Sequence, residues 1–161
     1  GEFGRDALGP RAMLVAAALP RTGPTLHKEP LVKVIASSLR KGNVLEIDGK
    51  LSALLEKRYA GDDRLQVVTD SAENVAAYLD GQRADVLVSA IPFTSLDGTL
   101  RTRILDALPG LLAPKGVLVL IQYSPLLMGE LRRRFRSVRW RITPWNVPPA
   151  FLFACSQDEP A

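Results

Sequence analysis

The chain has 161 residues, 47% of them hydrophobic, which excludes a disordered tail and allows one buried core. A single cysteine excludes an internal disulfide, and one cysteine with one histidine cannot build a protein zinc site alone. The formal net charge is +4, with much of the basic excess between Arg132 and Arg141. The apolar run from Ala12 to Leu19 is well short of the roughly 20 residues that a membrane-spanning helix needs.

Strand-like and helix-like patterns alternate along most of the chain. Apolar segments of strand length occur at 44–47, 65–68, 84–89, 117–121, 138–142 and 150–154. Apolar residues recur at helical spacing at 31–39, 51–59, 72–79, 100–112 and 126–135. This alternation predicts an α/β protein with a Rossmann-like, mostly parallel sheet. The linker 143–149 is too short for a helical crossover, so we expect the last two strands to form an antiparallel hairpin.

A basic cluster lies in the predicted helix and strand near the end of the chain. We define it by six residues, Arg132, Arg133, Arg134, Arg136, Arg139 and Arg141. Such a local concentration of positive charge attracts the phosphate groups of RNA or of an anionic membrane. The alternative is a solvated helix face that runs into an edge strand, and the sequence leaves both interpretations open.

Polar residues directly follow three predicted strands, at the edge where a parallel sheet binds its ligands. Glu46 ends one strand, and a carboxylate there can accept both ribose hydroxyls of a nucleoside. Asp70 follows the next strand and can accept from an adenine amine, while Ser89 to Phe93 follow the third, where a methyl acceptor would lie. Each acid has a structural alternative, since Glu46 could cap the following helix and Asp70 could do so alongside Ser71.

Two of these segments resemble motifs of the class I S-adenosylmethionine-dependent methyltransferases. Val44-Leu45-Glu46-Ile47-Asp48 is similar to the second motif of the group that includes rRNA adenine dimethyltransferases and phospholipid N-methyltransferases. Val67-Val68-Thr69-Asp70-Ser71-Ala72 is similar to the third motif of that group. Pro114-Lys115-Gly116-Val117 resembles the turn before its fifth strand.

Two later segments resemble the bacterial phospholipid N-methyltransferases in particular. Ile121-Gln122-Tyr123-Ser124-Pro125 is similar to their aromatic segment after the fifth strand. Trp145-Asn146-Val147-Pro148-Pro149-Ala150 is similar to their late tryptophan–asparagine–diproline signature. The late signature is the more specific resemblance, because the motifs at 44–48 and 67–72 are shared widely among methyltransferases.

The resemblance implies S-adenosyl-L-methionine as cofactor, S-adenosyl-L-homocysteine as product, and no metal. It implies cofactor contacts from residues at the strand ends, namely Glu46, Ile47, Asp70, Ser71, Ala72 and Ser89. The residues that it implies for the acceptor are Ala90, Pro92, Phe93, Tyr123, Trp145 and Asn146. Tyr123 is the candidate catalytic residue, because it could assist removal of a proton from an acceptor amine. For Trp145 and Asn146 the alternative is packing of the last hairpin.

Ala90 favours a lipid acceptor over a nucleobase. Nucleobase amine methylases usually have asparagine two residues before the proline, and here Ala90 stands two residues before Pro92. Alanine cannot hold an exocyclic amine by a hydrogen bond, although Phe93 keeps the aromatic position. We therefore expect methylation of the amine of phosphatidylethanolamine or a related phospholipid, in the cytoplasm at an anionic membrane surface. The alternatives are an RNA adenine N-methyltransferase and a non-catalytic methyltransferase-like binding module.

The first strand and the glycine-rich loop of such a fold are not evident before Glu46. The predicted helix 31–39 leads almost directly into Val44, so about 30 residues of a βαβ unit are expected to be missing. One interpretation is that the protein has this segment and the printed sequence omits it, and another is a true deletion. We favour the first, because a sheet without its central strand leaves two strand edges unpaired in the core.

A third interpretation finds the first strand further upstream. It takes Met13 to Leu19 as that strand and Arg21-Thr22-Gly23-Pro24-Thr25 as a degenerate turn, whose single glycine makes it a poor cradle for the cofactor. On the favoured interpretation the chain divides into an N-terminal segment, residues 1–30, that faces membrane or substrate, and a methyltransferase domain, residues 31–161.

Overall fold

The computed structural model describes residues 11–16, 41–143 and 148–158. Seven strands form one sheet in the order β3-β2-β1-β4-β5-β7-β6. They are β1 (Arg11–Ala16), β2 (Lys41–Glu46), β3 (Leu65–Val68), β4 (Ala84–Ser89), β5 (Leu112–Gln122), β6 (Ser137–Thr143) and β7 (Ala150–Ser156). The helices among these residues are α1 (Gly49–Tyr59), α2 (Gly98–Leu111) and α3 (Met128–Arg134), with a 3₁₀ helix at Ala72–Leu79 and shorter 3₁₀ turns at Phe93–Ser95 and Pro125–Leu127.

Strand β1 lies at the centre of the sheet, so the expectation that the first strand is missing is wrong. It pairs in parallel with β2, Ala16 opposite Glu46, and with β4, Val15 opposite Ser89. β1 was not recognised from the sequence because no glycine-rich signature follows it. It belongs to the sheet nevertheless, because pairing requires only the open backbone edges of β2 and β4 and not that signature. The third interpretation, which took Met13 to Leu19 as the first strand, located β1 approximately. Strands of the sheet lie on both sides of the domain boundary expected between residues 30 and 31. The predicted turn 21–25 and helix 31–39 lie outside the described residues.

The predicted hairpin is confirmed. β7 pairs antiparallel with β5 and with β6, Thr143 standing opposite Ala150. The strands β1 to β5 are parallel throughout. Because β6 and β5 are both antiparallel to β7, β6 runs in the same direction as β5. Among the described residues, none of the helices has the length and apolar character that spanning a bilayer requires.

The predicted turn at Pro114-Lys115-Gly116 is an irregularity inside β5, which begins at Leu112. The register between β4 and β5 shifts there, and Lys115 has φ +65. A Cβ on Gly116 would lie 2.8 Å from the carbonyl oxygens of Ala84 and Ala113. The segment predicted as a turn is therefore a local kink within one strand, at a position that only glycine fits, and not a connection between two elements.

The larger hydrophobic core lies on one face of the sheet, beneath the 3₁₀ helix Ala72–Leu79, α2 and α3. Its fully buried side chains include Leu87, Phe93, Leu105, Leu118, Leu131 and Phe153. On the other face Leu55 of α1 packs with Val44 and Val88. Each such side chain stabilises the fold by about 1.5–3 kcal/mol relative to its exposed state, so these two clusters fix the positions of the strand ends. Cys155 belongs to the larger core, and burial raises the pKa of its thiol to about 12.

Candidate active site at the carboxyl edge of the sheet

The strand register brings the predicted strand-end residues to one edge of the sheet. Glu46 and Ser89 flank β1 on its two sides, and Ser89 pairs with Leu120 of β5. Leu45 pairs with Val68, so Thr69 and Asp70 continue from β3 beside the end of β2. The strand order reverses between β1 and β4, and ligands of open α/β sheets bind at such a switch point.

Glu46 is fully buried at the end of β2. Its Oε1 accepts from the backbone N–H of Asp48 at 3.1 Å. Asp48, and not Glu46, caps α1, because its Oδ1 accepts from the N–H groups of Lys50 (2.9 Å) and Leu51 (3.3 Å). The capping alternative for Glu46 is therefore wrong. The next residue, Ile47, is 55% exposed, so a buried acceptor and an apolar surface adjoin at this strand end.

Asp70 is held by three donors from its own segment. Its Oδ1 accepts from the N–H of Ser71 (2.6 Å) and from Nδ2 of Asn74 (2.8 Å), and its Oδ2 accepts from the Tyr78 hydroxyl (2.5 Å). These bonds, the one from Tyr78 above all, hold the pKa of Asp70 below its ordinary value. The carboxylate is thus ionised and oriented, and its contact with adenine stays a prediction.

Two of these donors, Asn74 and Tyr78, were not predicted from the sequence. Both follow Asp70 at multiples of four residues, a spacing that could have indicated a shared helix face. Ser71 caps the 3₁₀ helix, its Oγ accepting from the N–H of Glu73 at 3.3 Å. Ala72 packs against the larger core. The capping role suggested for this segment therefore belongs to Ser71, with Asp70 bracing it.

The segment after β4 is largely buried. Ser89 is 1% exposed and Ala90 5% exposed, and the N–H of Ile91 lies 3.4 Å from the Ser89 hydroxyl. Phe93 is fully buried in the larger core, while Pro92 is half-buried. The N–H of Phe93 donates to the Ile91 carbonyl (2.9 Å) and closes a tight turn. From this turn the Phe93 ring packs into the core. Phe93 consequently offers no open surface to an acceptor, contrary to the aromatic role expected for it.

Gln122 connects the ends of β4 and β5, a role that was not predicted from the sequence. Its side chain is 2% exposed, and Nε2 donates to the carbonyls of Ile91 (2.7 Å) and Ile121 (2.8 Å). A buried amide is retained only with such partners, so Gln122 fixes the position of the segment that carries Ala90 and Pro92. The available signal was a polar residue at the end of an otherwise apolar strand.

Tyr123 follows Gln122 and is 38% exposed. Desolvation raises the pKa of its phenol, which makes the phenolate scarcer at neutral pH and disfavours Tyr123 as a general base. Leu126, 78% exposed, lies close along the chain.

Trp145 and Asn146 lie outside the described residues. In the part of the chain that the structure describes, no group of three or more His, Cys, Asp or Glu side chains could hold a metal ion.

Comparison with known proteins gives structural matches only. No protein-family profile and no curated protein sequence matches the chain. Among solved structures, the N-methyltransferase NodS of Bradyrhizobium japonicum WM9 is similar, with a TM-score of 0.74, 12% identity, and coverage of 92% of this chain and 87% of that one. An rRNA methylase of Streptococcus thermophilus matches with a TM-score of 0.67, 12% identity, and coverage of 94% and 90%.

A third similar structure has bound ligand. It is SMU.1697c, a putative methyltransferase of Streptococcus mutans in complex with S-adenosyl-L-homocysteine, with a TM-score of 0.64, 9% identity, and coverage of 92% of this chain and 91% of that one. NodS has also been solved in complex with S-adenosyl-L-homocysteine. The strand order, the antiparallel β7 and these matches agree: the chain has the Rossmann-like fold of the class I methyltransferases.

Proposed function

We propose that the chain is an S-adenosyl-L-methionine-dependent N-methyltransferase that acts on the amine of phosphatidylethanolamine or a related phospholipid. The observation that carries the proposal is the buried Glu46 carboxylate at the end of β2, beside β1 and next to the switch point. The fold supports it, since similar structures include methyltransferases in complex with S-adenosyl-L-homocysteine.

The residues at the ends of β2 and β3 fit a nucleoside. Glu46 is fully buried, so a nucleoside can donate from both ribose hydroxyls to its carboxylate only by displacing the groups that cover it. The exposed Ile47 beside it can pack on an apolar ring face. Asp70, ionised and oriented by Tyr78 and Asn74, can accept from an exocyclic amine, because each carboxylate oxygen has more than one acceptor site. When bound, S-adenosyl-L-methionine supplies a methyl group that its sulfonium has already activated.

The described residues at the ends of β4 and β5 are uncharged and position the acceptor. Ala90, Pro92 and Tyr123 provide small, apolar or neutral groups, which suit a reaction governed by placing a neutral amine in line and excluding water. Gln122 holds this segment in place through the Ile91 carbonyl. Tyr123, with its raised pKa, acts as a neutral hydroxyl that can accept a hydrogen bond from the amine, and the released proton passes to water.

Ala90 favours lipid over RNA, because it has no amide with which to hold a nucleobase amine. An RNA adenine N-methyltransferase is the second candidate, supported by the basic cluster and by the similarity to an rRNA methylase. The proposal includes peripheral attachment to an anionic membrane surface on its cytoplasmic side. The basic cluster supports this attachment, since each arginine near such a surface contributes about 1 kcal/mol.

The test is a radiolabelled methyl-transfer assay, run in parallel on phosphatidylethanolamine vesicles and on undermodified ribosomal RNA. We expect label in the lipid and none in the RNA. Label in RNA alone would establish the second candidate. Label in neither, together with no binding of S-adenosyl-L-homocysteine by calorimetry, would leave a non-catalytic module with a methyltransferase fold.

A further inference from the structure

The outer edge of the sheet exposes large apolar side chains on β6. Trp140 is 45% exposed and Ile142 is 47% exposed, although both share a face with the larger core. Trp140 pairs with the fully buried Phe153, and Ile142 pairs with Phe151. The Trp140 ring lies 6.2 Å from the Phe151 ring, centroid to centroid, at an angle of 35°. These side chains are therefore supported from beneath and open to the outside.

The opposite face of the same strand is basic. Arg139 and Arg141 alternate with the two apolar residues and are exposed, and they stand opposite Ala154 and Leu152 of β7. Four consecutive residues, 139–142, are thus exposed on both faces of β6. The strand projects as a ridge, with tryptophan and isoleucine on one side and arginines on the other.

Within the described residues, carboxylates do not neutralise the two arginines of this ridge or most of the basic cluster to which they belong. Arg134 forms ion pairs with Asp106 (2.7 Å) and Glu130 (3.7 Å). No carboxylate in the described part of the chain pairs with the other five arginines of the basic cluster, all exposed, namely Arg132, Arg133, Arg136, Arg139 and Arg141. Unpaired, exposed arginines next to exposed apolar side chains are complementary to a surface that is anionic outside and apolar beneath.

The ridge is aligned with the acceptor side of the candidate site. Ile142, Phe151 and Gln122 form one row across β6, β7 and β5. Two strand spacings, about 10 Å, separate the ends of this row. Gln122 holds the segment that follows β4, so a surface docked on the ridge would lie beside the place where the acceptor amine is proposed to bind.

We propose that β6 is the membrane-docking edge of the protein, with an anionic phospholipid bilayer as its partner. Trp140 and Ile142 enter the interfacial region, while the arginines contact lipid phosphates. A bilayer is favoured over RNA because an isoleucine has no face on which a base can stack, whereas it partitions into lipid. This inference rests on the proposed function for its biological meaning, but docking is measured independently of methyl transfer.

The experiment is flotation of the full chain with phosphatidylcholine vesicles that contain or lack phosphatidylglycerol. We expect binding to the anionic vesicles that weakens as salt rises. Arg139→Gln/Arg141→Gln is expected to weaken it by about fivefold per arginine. Trp140→Ser/Ile142→Ser is expected to weaken it by about tenfold or more and to leave the salt dependence in place.

Matched controls separate the ridge from general charge and hydrophobicity. Lys57→Gln/Arg83→Gln makes the same charge change elsewhere, and Leu54→Ser removes a side chain that is 51% exposed on α1. Both controls are expected to bind as the parent does. Circular dichroism and thermal unfolding verify that each variant is folded, and Ile142→Ser alone replaces the Trp140 double variant if that one unfolds.

Three outcomes would overturn the docking proposal. The first is equal vesicle binding by the ridge variants and the controls. The second is equal flotation of the parent chain with neutral and anionic vesicles. The third is a loss of affinity for a short RNA in the ridge variants while their vesicle binding is unchanged. Methyl transfer to a short-chain ethanolamine phospholipid dispersed as monomers is expected to survive in the ridge variants. Absence of that transfer in the parent chain, with vesicle binding intact, would contradict the proposed function and leave the docking edge standing.

Discussion

The proposed cofactor side of the candidate site, at the ends of β2 and β3, has two carboxylates that already accept hydrogen bonds within the protein. The proposed acceptor side, at the ends of β4 and β5, is uncharged. Glu46 accepts from Asp48, and Asp70 accepts from three donors. On the acceptor side one buried amide, Gln122, organises a segment that is otherwise small or apolar. The contrast suggests recognition by fixed charges on one side and by shape on the other.

The largest expected effect is on the cofactor side. Glu46→Gln keeps the volume of the buried side chain but replaces one acceptor oxygen by a donor. The affinity for S-adenosyl-L-methionine should fall about 10–100-fold, because a hydrogen bond to a charged group contributes about 1.5–3 kcal/mol. Calorimetry gives the dissociation constant, and Glu56→Gln on the exposed face of α1 makes the same charge change as a control. Equal affinity in both variants would remove Glu46 from the site.

The next effect separates the two sides. Gln122→Leu leaves the Ile91 carbonyl without its donor and frees the segment that carries Ala90 and Pro92. We expect methyl transfer to fall about tenfold, since small displacements of a positioned acceptor are costly, while cofactor affinity stays within about twofold. Gln82→Leu, at an exposed turn residue, is the control. A parallel loss of cofactor affinity would mean that the sides are not independent.

The smallest effect concerns the bracing of Asp70. Tyr78→Phe removes the largest cause of its lowered pKa, so that pKa should rise, as carboxyl NMR titration would show. A lowered folded-state pKa adds stability above the unfolded value, about 3.9, and the gain is lost as pH falls through the folded pKa. The free energy of unfolding that Tyr78→Phe loses relative to the parent should therefore be largest at neutral pH and become smaller in acid.

The control for this prediction is Tyr59→Phe, on α1 outside the network. Cofactor affinity at neutral pH should change by less than about threefold, because Asp70 stays ionised and keeps Asn74 and Ser71 as donors. A stability difference that is the same at neutral and acid pH would show that the Tyr78 hydroxyl does not act through Asp70.

The sequence predicted the elements that local patterning specifies. β3 and β4 match their predicted bounds, and the last two strands form the expected hairpin. β1 was misjudged because its place depends on the open edges of β2 and β4, which are distant in sequence. The segment predicted as an α-helix at 72–79 is a 3₁₀ helix, which apolar spacing alone does not distinguish.

Site residues were predictable where strand ends specify them, and less so where packing decides. Glu46 follows directly from its place at the end of an apolar strand. Phe93 was expected at the acceptor, but the sequence does not tell a ring that faces the core from one that faces a ligand. Gln122 stands out locally as a polar residue at the end of an apolar segment, but its partner, the Ile91 carbonyl, lies 31 residues away, and no local pattern predicts that contact.

The central position of β1 has a consequence for how the chain reaches its native state. Ala12 pairs with Gly42 on one side and with Val86 on the other, so β1, the first of the described strands, cannot complete its pairing until β4 has been synthesised. Closing so long a loop costs entropy before any contact repays it, and topologies rich in distant pairings fold slowly. During synthesis one edge of β1 stays unpaired until β4 is available, so the nascent chain is most prone to wrong association before that point.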